Sequence, residues 1–270
     1  MAKGGIAILA GRGVLPLEAA REARRRGEEP VVVTLVPEVE PGLAAEAAVL
    51  HAVPVAQFGR LLSVLRAEGV TRAVLAGKVT KELLYQDFAP DARLRALLGR
   101  VPDRNDDTLL LAVVEELAGE GVEVVRQDDY LGNLLAGAGQ IAGRAPDARE
   151  MADVRYGFRR AKEIAGLDLG QTVVVKNLAV LAVEAVEGTD ACLKRGGALG
   201  RGGAVAVKVA KPAQDPRFDV PTIGPDTLAS MRDAGVACLA VEAGATFVAE
   251  PDEVERLASE AGLAVVGVEG

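Results

Sequence analysis

Ile6-Ala-Ile-Leu-Ala-Gly11-Arg-Gly13-Val-Leu-Pro16 reads as a short apolar strand, a two-glycine turn and the opening of a helix. Proline in the first helical turn fits, because the N–H it lacks has no intrahelical partner there. Working outward, apolar runs at Val31 to Val36 and Arg72 to Ala76 alternate with helical patterns at Leu17 to Arg26 and Gln57 to Glu68. The second helix carries Phe58, Leu61, Leu62 and Leu65 at helical spacing. Asp106 or Asp107 opens a further helix through Leu109 to Leu117, and Val122 to Val125 is strand-like. Strands alternating with helices signal βαβ units and a parallel sheet, so residues 1–130 are expected to form an N-terminal Rossmann-like domain.

Glycines 132, 137, 139 and 143 with Pro146 mark residues 131–150 as an interdomain linker. Residues 151–270 then read as a second α/β domain. A helix runs from Met151 to about Ala165, with strands at Thr172 to Lys176, Val180 to Val186, Ala204 to Ala210, Val236 to Val241 and Ala264 to Val268. The close spacing of some of these strands suggests hairpins and a mixed sheet. The expected fold class is therefore α/β, with two α/β domains joined by a linker.

The chain has 270 residues, 50% of them hydrophobic and 26% charged, which is the balance of a folded protein. Its net charge is −8, aromatics are 3% and tryptophan is absent, so the basic footprint and stacking platforms of nucleic-acid binders are missing. No nucleic-acid partner is expected. One histidine, His51, and two cysteines, Cys192 and Cys238, are too few for a histidine- or thiolate-built zinc site. A metal would have to be held by carboxylates, which select magnesium, manganese or calcium. The two cysteines sit among apolar neighbours, as reduced buried thiols in a cytoplasmic protein would. No apolar run approaches the roughly 20 residues of a membrane span.

Several segments offer chemistry. Gly11 and Gly13 form either a plain βα turn or an anion-contacting turn at a helix N-terminus. Pro16 replaces the third glycine of a dinucleotide fingerprint, which disfavours a nicotinamide cofactor. Gly77 and Lys78 end a parallel strand, the edge at which open α/β sheets bind ligands. Lys78 reads equally as a solvated lysine, and Asp106 and Asp107 read as helix caps. Glu184, Glu187, Thr189 and Asp190 gather acids and a hydroxyl at a strand end. Lys194 to Gly203 is either a flexible loop or a phosphate-covering one. The densest constellation runs from Lys208 to Gly224 and holds Lys208, Lys211, Gln214, Arg217, Asp219 and Thr222 between prolines. Cations at this spacing neutralise a diphosphate while an aspartate holds Mg²⁺ or positions water. The alternative is a surface crossover loop.

The chain resembles the UDP-2,3-diacylglucosamine pyrophosphatases of the lipid A pathway, in their LpxI form. The matching segments are Ala10-Gly-Arg-Gly-Val-Leu-Pro16, Phe58-Gly59, Arg66-Ala-Glu-Gly69, Ala76-Gly-Lys-Val79, Asp106-Asp107 and Met151-Ala-Asp153. They continue through Asp168-Leu-Gly-Gln171, Val183-Glu-Ala-Val-Glu-Gly-Thr-Asp190, Lys211-Pro212, Asp219-Val-Pro-Thr-Ile-Gly224 and Glu242-Ala-Gly244. The resemblance implies metal-dependent hydrolysis of UDP-2,3-diacylglucosamine to 2,3-diacylglucosamine 1-phosphate and UMP, with Mg²⁺ or Mn²⁺ as cofactor. It makes Asp219 the catalytic aspartate, with Thr189 and Asp190 beside it and Asp219 and Asp190 as metal ligands. Lys208 and Lys211 join them as candidate catalytic cations, and Gly11, Gly13, Gly77, Lys78, Gln214, Arg217 and Thr222 as candidate substrate contacts. The implied partner is a UDP-linked acylated sugar. A peripheral contact with the inner membrane through that lipid and a homodimer both stay open. So do a non-catalytic nucleotide-sugar binder and a pyrophosphatase for another nucleotide-sugar.

Overall fold

The computed structural model describes residues 5–79, 89–101 and 106–270, without the side chain of Asp106. The chain divides into two compact units. The first comprises Met1–Asn133 with Pro216–Phe218, and the second Leu134–Asp215 with Asp219–Gly270.

In the first unit, β1 (Gly5–Ala10), β2 (Val31–Thr34), β3 (Val49–Ala52), β4 (Val70–Ala76) and β5 (Glu123–Val124) form one sheet in the order β3-β2-β1-β4-β5. All four pairings are parallel. Ile6 to Ala10 are buried in succession because a parallel sheet is covered on both faces, which is why β1 is a continuous apolar run. α1 (Leu15–Arg25) presents Leu17, Ala20 and Ala23 to the sheet and ends in basic residues Arg24 and Arg25, which suit a helix C-terminus. α3 (Phe58–Ala67) buries the four expected apolar residues, Phe58, Leu61, Leu62 and Leu65. α5 (Asp106–Gly119) contributes Val114 and Leu117 to the same core. Short helices α2 (Leu43–Glu46), α4 (Ala92–Leu98) and α6 (Gln127–Leu131) also belong to this unit.

The second unit is built on a six-stranded mixed sheet in the order β6-β13-β11-β9-β7-β8. Its strands are β6 (Gly139–Gly143), β7 (Thr172–Lys176), β8 (Ala179–Val183), β9 (Ala204–Lys208), β11 (Val236–Glu242) and β13 (Ala264–Val268). A two-stranded parallel pair, β10 (Thr222–Ile223) with β12 (Phe247–Val248), stands beside it. Side-chain alternation divides the sheet between two cores. Val174, Ala206, Leu239 and Val265 pack under α8 (Thr189–Gly200), α9 (Pro225–Ala234) and α10 (Pro251–Ala261). Val173, Val175, Val207 and Ala240 pack under α7 (Ala148–Gly166). The β7–β8 hairpin turns on Asn177 and Leu178, both at positive φ, and the buried carboxylate of Asp153 accepts their N–H groups at 2.9 and 2.6 Å.

Two expectations change here. Residues 131–150 are not a bare linker: they hold β6, whose Gly139 to Gly143 pairs antiparallel with β13. Glycine conceals this strand, because at Gly267 an added Cβ would stand 1.8 Å from the Gly137 carbonyl oxygen, so close backbone approach takes the place of side-chain packing. Lys194 to Gly200 is not a loop but the body of α8. A Cβ on Gly196 would meet that of Val174 at 2.4 Å, and one on Gly197 would meet the Ala234 carbonyl oxygen at 2.0 Å. These glycines let the helix lie flat on the sheet and on α9. Only the end of the segment, Arg201 to Gly203, leaves the helix, beginning with Arg201 in a left-handed conformation.

Candidate active site

The sequence-predicted residues fall into two groups, one in each unit, and a single tripeptide. In the first unit, Gly11 and Gly77 sit where the strand order reverses between β1 and β4, at the carboxyl ends of both strands, the crevice position for ligands in open α/β sheets. Gly11 N–H donates to the Ala76 carbonyl at 2.8 Å, and Arg12 and Lys78 exchange two backbone hydrogen bonds of 2.9 Å each. The turns thus zip together, and any Cβ would part them. At Gly11 it would meet Gly77 carbon at 2.7 Å, and at Gly77 it would meet the Arg12 oxygen at 2.6 Å. Gly13 has open space around it, and its φ of +91° is what calls for glycine. Lys78 is exposed at the rim, and the Arg12 guanidinium is engaged by Glu38 at 3.0 Å.

In the second unit, the carboxyl end of β9 lies beside the amino end of β7, because Lys208 pairs antiparallel with Thr172. Lys208 Nζ donates to Thr189 Oγ1 at 3.1 Å, and that hydroxyl donates to Glu184 Oε1 at 2.8 Å. The other Glu184 oxygen accepts Gln171 N–H at 3.3 Å. Thr189 is the first residue of α8, whose N-cap, Gly188 at φ +81°, supplies no side-chain cap. The first-turn N–H groups and the lysine therefore make this end of the sheet favourable to anions. Asp190 is exposed in the same turn.

The loop after β9 continues the constellation. Lys211 Nζ pairs with Asp168 at 2.6 Å. Gln214 Oε1 accepts from Lys211 N–H at 3.3 Å and from Gln171 Nε2 at 3.2 Å, while Gln214 Nε2 donates to the Asp219 carbonyl at 2.9 Å. Asp219 is exposed and left-handed, at φ +55°. Thr222 opens β10 and donates to the Val220 carbonyl at 3.1 Å. Before Lys211 the chain is gripped from below. Glu242 Oε2 accepts Ala210 N–H at 2.8 Å, and Lys162 Nζ donates to the Ala210 carbonyl and to both Glu242 oxygens at 3.0 Å.

Arg217 lies in the tripeptide Pro216–Phe218. Pro216–Phe218 belongs to the first unit, where Pro216 accepts Gln127 N–H at 2.8 Å and Phe218 is buried with Val114 and Val124. There Arg217 lines a groove of about 520 Å³ with Ala118, Val122 and Arg126. Asp107 stays in the first turn of α5.

Gln171, Asp168, Lys162 and Glu242 are the structural members of this site that sequence reasoning did not single out as site residues, whereas Glu184 stood in the acidic strand end read at 184–190. Asp168, Gln171 and Glu242 were marked only by lying inside the shared segments at 168–171 and 242–244, and Lys162 by nothing, since each acts through a partner distant in the chain. Within α8, burial pushes the Cys192 thiol up to about 12. Among the described residues, no group of three or more His, Cys, Asp or Glu side chains is placed to hold a metal, and no helix is long and apolar enough to cross a membrane.

Comparison with known proteins matches these two units separately. A family model described as the LpxI N-terminal domain matches residues 5–134, and one described as the LpxI C-terminal domain matches residues 137–266. UDP-2,3-diacylglucosamine pyrophosphatase LpxI of Caulobacter vibrioides is 35% identical over 276 aligned positions, covering 98% of this chain and 97% of that protein. Among solved structures, the biotin carboxylase domain of Hydrogenobacter thermophilus 2-oxoglutarate carboxylase overlaps 66% of this chain and 36% of that one. That overlap has 10% identity and a TM-score of 0.29, too remote to bear on fold or activity. With both domain models matched in order and a full-length relative at this identity, the chain belongs to the LpxI family.

Proposed function

We propose that this protein is a UDP-2,3-diacylglucosamine pyrophosphatase of lipid A synthesis, cleaving its substrate with water to 2,3-diacylglucosamine 1-phosphate and UMP. The observation that carries the reading is the Lys208–Thr189–Glu184 chain beside the Lys211–Gln214–Asp219 loop, in a chain that aligns end to end with a pyrophosphatase of that name. Phosphoryl transfer needs little covalent chemistry from a protein. It needs positioned water and compensated phosphate charge. Lys208, Lys211 and the uncapped α8 amino terminus supply positive potential, and Thr189, its proton committed to Glu184 and one lone pair to Lys208, offers its remaining lone pair fixed in direction. Asp219 orients the attacking water. In the first unit, Gly13 and Lys78 are exposed at the carboxyl ends of β1 and β4, a place that suits a phosphate-bearing group.

We extend the proposal to Mg²⁺ or Mn²⁺, with Asp219 and Asp190 as the residues that would hold it. Two hard carboxylates fit such an ion, which takes its remaining ligands from water and substrate phosphates. When bound, it would neutralise charge developing on the pyrophosphate. On the same reading the protein works in the cytoplasm and meets the inner membrane only through its substrate's acyl chains.

The test is UMP release from UDP-2,3-diacylglucosamine by the purified protein with either ion present. Turnover supports the assignment. Tight binding without turnover would make the chain a nucleotide-sugar binder instead, and turnover of other UDP-sugars alone would move the substrate.

A further inference from the structure

We propose that Gln171 and Gln214 are a pair of positioning residues that fix the main chain of Asp219. The proposal rests on Asp219 being the residue that acts on water or metal.

Hydrogen-bond chemistry leaves one arrangement of the two amides. Lys211 N–H can only donate and the Asp219 carbonyl can only accept, so Gln214 Oε1 faces the former and Nε2 the latter. Oε1 then has one lone-pair direction left, and the nitrogen of Gln171 fills it at 3.2 Å. Turning over either amide would set like groups against each other. The carbonyl so held belongs to a left-handed aspartate, a conformation that a non-glycine residue keeps only where its surroundings over-determine it.

Gln171 also reaches the other half of the site through its backbone. Its N–H donates to Glu184, which takes the Thr189 hydroxyl, and its carbonyl accepts Val209 N–H at 3.0 Å. One residue at the entrance of β7 therefore ties the Glu184–Thr189–Lys208 chain to the loop that carries Asp219. A substrate-binding glutamine would spend its amide on ligand, whereas three of Gln214's amide bonds are already made inside the protein.

Gln214→Glu tests the pair most sharply. It keeps the size and both accepting bonds but sets a charged oxygen, in place of the donor, against the Asp219 carbonyl. Gln171→Glu sets an acceptor against Gln214 Oε1 and forces that amide to turn away. Both variants are expected to lower kcat roughly 10- to 100-fold, the scale on which misplacing a reacting group by about 1 Å acts. KM and Tm should stay at wild-type values, and amide hydrogen exchange across 214–224 should quicken. The double variant Gln171→Ala/Gln214→Ala should fall no further than Gln214→Ala alone, because both act through one bond. Wild-type kcat and exchange in the two isosteric variants would overturn the proposal. So would a raised KM at unchanged kcat, which is the mark of a substrate contact. Absence of turnover in the wild type would instead sink the assigned activity, and the exchange comparison would still decide the positioning.

Discussion

Asp219 is exposed, left-handed and held by its carbonyl in a loop rich in proline. Removing its charge should raise the barrier without loosening a core. Asp219→Asn is expected to cut kcat by about a thousandfold, the scale seen when a preorganised charge or donor is lost from a site. Thermal unfolding and substrate affinity should stay near wild type. A variant that turns over at near-wild-type rate would remove the residue from the chemistry. Asp153 is its counterexample. It also lies in a segment shared with the family, yet it is buried and both its oxygens cap the Asn177–Leu178 turn, so its place is explained by architecture alone.

At the scale of elements, α8 reverses the usual rule for glycine in helices. Replacing a helical glycine by alanine normally stabilises by up to about 1 kcal/mol, since glycine loses more backbone freedom on folding. At Gly196 the new methyl would overlap Val174, and overpacking of that kind costs about 1–3 kcal/mol. Chemical denaturation should therefore find Gly196→Ala destabilised. Gly119→Ala, at the end of α5 with nothing within 4 Å of the added carbon, should be neutral or stabilising. The start of α7 supplies a pH-dependent element. Arg144 binds the buried Glu150 carboxylate through two nitrogens at 2.7 and 2.6 Å, and these hydrogen bonds, with that from Asp147 N–H, hold the Glu150 pKa below its ordinary 4.5. A depressed carboxylate pKa stabilises the fold above the unfolded value, and the contribution fades as pH falls through the folded one. The Tm gap between wild type and Glu150→Gln should be widest near neutral pH and close below pH 4.5. A gap constant across that range would mean the charge contributes nothing.

For the whole molecule, the proposed chemistry predicts a cofactor dependence, and the resemblance to the LpxI family implies attack at the sugar-side phosphorus. Exhaustive chelation should abolish UMP release and Mg²⁺ or Mn²⁺ should restore it, because the chain's hard ligands are carboxylates and its lone histidine, His51, is bound to Glu68 at 2.8 Å. Full activity after chelation would leave the lysines sufficient and refute the metal. In heavy-oxygen water, in-line attack at the sugar-side phosphorus should place the label in 2,3-diacylglucosamine 1-phosphate, as mass spectrometry of both products would reveal. Label in UMP would reverse the roles of nucleophile and leaving group.

What the sequence by itself determined is everything carried by local pattern. The β1 run, the Gly11–Pro16 turn and the apolar stripe of α3 announced a parallel α/β unit, because burial on both sheet faces and on one helix face writes itself directly into residue order. Shared segments such as Glu187 to Asp190 and Asp219 to Gly224 also pointed to the family. Tertiary structure alone decided what depends on close approach between distant segments. Gly196 and Gly197 looked like loop glycines until Val174 and Ala234 lay against them, and Gly139 to Gly143 looked like a linker until β13 supplied its hydrogen bonds. Pro216–Phe218 joined the first unit although the chain on either side of it belongs to the second. The bracing of Asp219 was equally hidden. Gln171, Gln214 and Asp219 are polar residues with no periodicity of their own, and only the antiparallel pairing of β7 with β9 brings the first of them to the other two.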